Sequence, residues 1–161
     1  MACWRQFSGR RTAAGLCLSL AFFLMACRTP SGMPAVNLAE PGWVLRQGQA
    51  VWRSGTGKPD IAGELLLATR GDRAVLQLSK TPLPFVTVQT SGAQWHIEFV
   101  PQRRIFHGVG EASVRLSWVH LARALNGVKP PASLVFQYSA QQGFILENPQ
   151  SGEMISGFLN P

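Results

Sequence analysis

The side chains able to do covalent or metal chemistry are few. Three thiols (Cys3, Cys17, Cys27), three imidazoles (His96, His107, His120) and 8 Asp and Glu are spread over 161 residues. A metal site needs thiolates or imidazoles at short spacing, with carboxylates behind them to orient the rings. No such spacing occurs, and the alternation Trp95-His96-Ile97 turns His96 outward. No serine stands in a nucleophile-elbow pattern. Arg70-Gly71-Asp72, the tripeptide of integrin ligands, falls where a hairpin has to turn, and glycine and aspartate are turn residues for backbone reasons. Gly108-Val109-Gly110 is half a dinucleotide fingerprint, with Ser113 at the third glycine position. Gly57-Lys58 is no P-loop, because Trp52 stands where the first glycine belongs. The expectation is a protein without catalytic residues, metal or soluble cofactor. A small membrane-anchored hydrolase would need polar catalytic groups that the pattern does not supply.

What the chain has in quantity is apolar and aromatic surface. An ordinary core accounts for part of it. A single twisted sheet with one short helix leaves an apolar face to fill, and an open apolar cavity is the sharper reading. The candidate lining is Trp43, Leu65, Leu67, Leu76, Leu78, Phe85, Trp95, Phe99, Trp118, Leu121, Phe136 and Tyr138.

These residues have to be positioned by strands. From Trp43 the apolar period is two. Strands are expected over 43–53, 61–69, 73–79, 85–90, 94–99, 104–107, 133–139, 143–148 and 153–159, separated by Gly- and Pro-containing turns. Between the sixth and seventh the period changes. Val114, Trp118, Leu121 and Leu125 share one helical face over 113–126, with Ser113 as N-cap and Gly127 as the residue past the end. That order predicts a mainly β domain at 43–161, an antiparallel sheet or unclosed barrel with one helix.

The N-terminus reads differently. Arg5, Arg10 and Arg11 precede about fifteen uncharged residues that end in Leu24-Met25-Ala26-Cys27, and composition then turns polar and Pro-rich. This is the anatomy of a signal peptide over 1–26, too short for a comfortable membrane span. A signal anchor or buried helix is the alternative. Leu24-Met25-Ala26-Cys27 resembles a bacterial lipobox. That resemblance implies cleavage before Cys27, with diacylglycerol on its sulfur and an acyl chain on its new amino group. Two or more chains anchor stably. Residues 27–42 read as a flexible tether of roughly 20 Å average span. Arg28 at the next position favours the outer membrane, periplasmic face. Of the 15 Lys and Arg, three lie in the signal, leaving a surplus of four over the acids. That suits an anionic membrane surface and is no nucleic-acid footprint.

Taken together, the element order is similar to the LolA/LolB superfamily, and closest to LolB. The residues that carry the resemblance are the lipobox, VLQLSKTPLPFVTVQ (75–89) and LSWVHLARALNGVKPP (116–131). The resemblance implies an unclosed β-barrel with a helical lid over an acyl-binding cavity. It implies an outer-membrane lipoprotein that accepts lipoproteins or lipids from a LolA-like periplasmic carrier, acting as a monomer. It also implies a membrane-delivery role for an apolar residue in the Thr81–Pro84 loop, here Leu83. The flanking prolines are expected to hold Leu83 extended and out of the strand ladder, with a leucine tucked under the rim as the alternative. The chain is shorter than a typical LolB and has one helix where the lid usually uses more. A structural or assembly lipoprotein that contacts another envelope protein is the competing reading.

Overall fold

The computed structural model describes residues 33–80, 83–139 and 143–160. The signal peptide, Cys27, the first part of the tether, Thr81, Pro82 and the expected turn at 140–142 lie outside them. Nine strands form one antiparallel sheet: β1 (Val44–Arg53), β2 (Asp60–Arg70), β3 (Arg73–Lys80), β4 (Leu83–Ser91), β5 (Gln94–Phe99), β6 (Arg104–Val109), β7 (Val135–Ser139), β8 (Gly143–Asn148) and β9 (Glu153–Leu159). A short 3-10 turn (Val100–Gln102) joins β5 to β6, and the helix α1 spans Ser117–Leu125. The strand order is β6-β5-β4-β3-β2-β1-β9-β8-β7, so β6 and β7 are open edges and the barrel does not close. Every neighbouring pair is a hairpin except β1–β9, which brings the last strands back onto the first.

Period-two patterning puts Leu65 and Leu67 of β2, Leu76 and Leu78 of β3, Val86 and Val88 of β4 and Ile97 of β5 on the concave face, each at most 1% exposed. β1 and β9 approach each other closely. Gly157 on β9 stands opposite Ala50 on β1, and a Cβ there would run into the Gln49 carbonyl. Only glycine permits that approach. A bulge at Leu78/Ser79 makes Phe85 an extra residue on β4. Phe85 and Val86, adjacent in sequence, both join the core.

The helix lies on the concave face and starts later than its pattern predicted. Ser113 is not the N-cap. Its carbonyl accepts the Leu116 N–H at 2.8 Å and faces His120 Nε2 at 3.2 Å, which makes a tight turn instead of a first helical turn. Val114 accordingly precedes the helix and is half-buried, while Trp118 and Leu121 are buried and Leu125 packs at the core margin. Burial extends beyond the expected stripe to Val119, His120 and Ala122. Gly127, at φ +88°, ends the helix as expected.

Hydrogen bonds tie α1 down at both ends. Ser117 Oγ donates to Glu153 on β9 at 2.6 Å, and Asn148 Nδ2 on β8 to the Val114 carbonyl at 3.3 Å. At the other end Arg123 donates to the carbonyls of Gly110 and Ala93, and Asn126 to that of Gly71. Arg46 reaches the Leu125 carbonyl at 3.4 Å, a cation where the helix dipole favours one. The Arg70-Gly71-Asp72 turn thus has a structural use. The tether is also less loose than expected near its end, because Glu40 pairs with Arg70 at 2.9 Å.

Candidate functional site

Most of the expected lining residues do not line a cavity. Leu65, Leu67, Leu76, Leu78, Trp118 and Leu121 are at most 1% exposed and pack solidly between sheet and helix, so the space under α1 is filled. Phe85, Trp95 and Phe136 pack at the margin of this core. The Trp95 ring lies so close over Gly108 that a Cβ on that glycine would clash with it. Trp43 packs under the Arg73 guanidinium at 5.3 Å, and Tyr138, on the β7 edge, is 51% exposed. Of the twelve, only Phe99 borders the open cleft described next.

That cleft, of about 570 Å³, opens at the N-terminal end of α1, between β1, β9 and the β5–β6 turn. Its floor is a run of rings leading out of the core. Trp118 meets Trp52 edge-on at 5.7 Å, Trp52 stacks on Phe99 at 6.0 Å, and Phe99 meets Phe106 edge-on at 6.4 Å. Phe85 braces Trp52 from the side at 5.8 Å. Exposure rises along the run, from 1% at Trp118 and 8% at Trp52 to half-buried rings at Phe99 and Phe106. Leu116 adds an aliphatic wall, and Ser54, Gln102 and Ser113 add polar groups.

The charged groups divide into one buried and two exposed. Glu153 is buried on β9, where Oε1 accepts from Trp52 Nε1 at 2.8 Å and Oε2 from Ser117 Oγ at 2.6 Å. Burial pushes its carboxyl above the usual range, and the two hydrogen bonds oppose that rise. Glu153 thereby fixes the Trp52 ring and the start of α1 together. Arg104 lies over the Phe106 ring at 5.2 Å, and Arg115 borders the same cleft from the segment before α1. Both are exposed.

Sequence reasoning missed this site. In the sequence Trp52 and Phe106 stand out only as aromatic content, Arg104 only as half of the Arg103-Arg104 pair that reads as a solvated face, and Arg115 and Glu153 not at all. One signal was present: Glu153 shares the inward face of β9 with Ile155 and Leu159, so an acid sits in an apolar register. The three histidines do not converge on one site: two are cross-strand neighbours and the third is on the helix. His96 faces away from Ile97, as expected, opposite His107 on the convex side, while His120 is on the helix. Burial lowers the His96 and His120 pKa values.

Leu83 corrects one expectation and meets another. The prolines do not remove it from the ladder: it pairs with Lys80 at the start of β4, because the antiparallel register resumes beyond the bulge. It is 68% exposed and not tucked under the rim.

Fold and site define an open antiparallel half-barrel, plugged by a helix, with an aromatic cleft at one rim. No family model matches the chain, and no curated protein matches it in sequence.

Proposed function

We propose that this is a lipid-anchored envelope protein that accepts an acyl chain in the cleft at the N-terminal end of α1. The observation that carries the reading is the aromatic run Trp52–Phe99–Phe106, apolar and partly exposed beside a filled core. A cleft of about 570 Å³ falls within the ~300–1,000 Å³ of ordinary small-ligand pockets. One chain suits it better than a triacylated anchor. Binding is non-covalent. The Ser117 hydroxyl is buried and committed to Glu153, and His120 faces the Ser113 carbonyl. The role follows the LolB-like resemblance: Cys27 carries the lipid anchor, the protein sits on the periplasmic face of the outer membrane, and a LolA-like carrier hands over the cargo.

Leu83 supports a delivery step, since it is exposed on the rim where the cleft opens. β3 ends and β4 begins at that rim, as do the β1–β2 and β5–β6 turns. Native mass spectrometry of detergent-free protein should find co-purified lipid, and a clean apo mass after release from a lipid-rich membrane counts against the reading. Globomycin, which blocks lipoprotein signal peptidase, should accumulate the precursor; unchanged mobility would remove the anchor.

The second reading, an assembly lipoprotein, is favoured by the open β6 edge, where Ile105 and Val109 are 55% and 75% exposed. It predicts a protein partner lost on Val109→Lys with lipid binding intact.

A further inference from the structure

The cleft carries charge as well as rings, and the charge is of one available sign. Arg104 and Arg115 both line it, both are exposed, and among the described residues neither is in an ion pair. The acid beside them, Glu153, has its oxygens engaged by Trp52 Nε1 and Ser117 Oγ. Among the described residues it forms no ion pair with either arginine, and it holds the floor of the cleft in place. Gln102, Ser54 and Ser113 supply neutral donors around the same opening. The exposed Arg104 guanidinium lies 5.2 Å from the centre of the half-buried Phe106 ring, so a positive charge sits at the open end of the ring run. A guanidinium presents forked donors that match a phosphate or carboxylate.

The geometry points to an anionic amphiphile as the ligand: a single alkyl chain laid over Trp52, Phe99 and Phe106, with its phosphate or carboxylate head held by Arg104 and Arg115. This rests on the acyl-binding reading and adds head-group selection to it. An apolar floor alone accepts any chain. Two unpaired guanidiniums at its mouth separate anionic amphiphiles from neutral ones of the same length.

The test is calorimetric titration of the full chain in neutral phosphatidylcholine nanodiscs, with empty discs as blank. The probes are dodecyl phosphate, dodecanoate, dodecanol and inorganic phosphate. Both anionic amphiphiles should bind roughly ten-fold or more tightly than dodecanol, the worth of one charge-assisted hydrogen bond. Inorganic phosphate should compete weakly, because it lacks the chain. Arg104→Gln with Arg115→Gln should bring the anionic probes to the level of dodecanol measured on the same variant. The melting temperature of that variant, altered only at exposed positions, should match wild type. Equal binding of all three amphiphiles, or a preference that survives the double substitution, overturns the head-group site and leaves chain binding standing. Inorganic phosphate that binds as tightly as dodecyl phosphate makes this a plain anion site and overturns the amphiphile. Binding of none of the probes overturns chain binding and head-group selection together.

Discussion

At the scale of the residue, Trp52 and Glu153 organise the cleft. Glu153 is a carboxylate kept in a buried place by two donors, and removing it orphans both. Glu153→Ala should therefore destabilise the fold by about 1–3 kcal/mol for each donor left unsatisfied, read in denaturant melts. Glu153→Gln retains a carbonyl for one of them and should cost less. The pH dependence separates the two effects. Because the folded carboxyl titrates above its unfolded value of 4.5, the native state holds the proton more tightly. This group's contribution is best below that value and declines as pH rises through the folded pKa. Glu153→Gln removes the decline, so its stability relative to wild type should improve as pH climbs from 4.5. A constant difference across that range would mean the carboxyl is not perturbed. Trp118→Ala, at a position 1% exposed, should cost about 3–5 kcal/mol. Leu83→Glu should barely move the melting temperature, since the side chain is already 68% exposed. It should slow transfer of a labelled lipoprotein into liposomes, because burying one leucine is worth about 1.5–3 kcal/mol. A lowered melting temperature with transfer intact would leave Leu83 without a delivery role.

At the scale of the element, the helix is fastened more than a lid needs to be. Arg123 spans two carbonyls on two different turns, so Arg123→Ala should loosen the C-terminal end of α1 by about 1 kcal/mol. Amide exchange of the last helical turn should speed up while that of β3 and β4 does not. Uniform acceleration would show that the helix and sheet open only together. All nine strands were legible as alternation because a one-sided sheet repeats every two residues. The helix end was legible from Gly127. Its beginning was not, because Ser113 has the side chain of a cap while its carbonyl serves a tighter turn. The cleft was illegible for a different reason. Trp52 on β1, Glu153 on β9 and Arg104 on β6 are joined only through the β1–β9 pairing and the coil of the sheet, and neither leaves a local signal. Alternation marks Leu65 and Leu76 as inward, but it does not tell a filled interior from a hollow one.

At the scale of the whole molecule, the sheet has two functionally different rims. The tether enters at one, with the β2–β3 and β4–β5 turns and the C-terminal end of α1. The cleft, Leu83 and the N-terminal end of α1 are at the other, and the ten residues of β1 put the rims roughly 30 Å apart. The chain therefore enters the sheet at the rim opposite the cleft. The filled interior under α1 moves the proposed ligand out of the barrel and onto that rim. The most direct measurement is photo-crosslinking of the full chain with a fatty acid bearing a mid-chain diazirine, followed by mapping of the adducts by mass spectrometry. Adducts are expected on Trp52, on the 99–106 stretch and on Leu116, suppressed by excess unlabelled fatty acid. Adducts confined to the convex face or to Leu65, Leu76 and Leu121 beneath the helix would contradict a ligand on that rim.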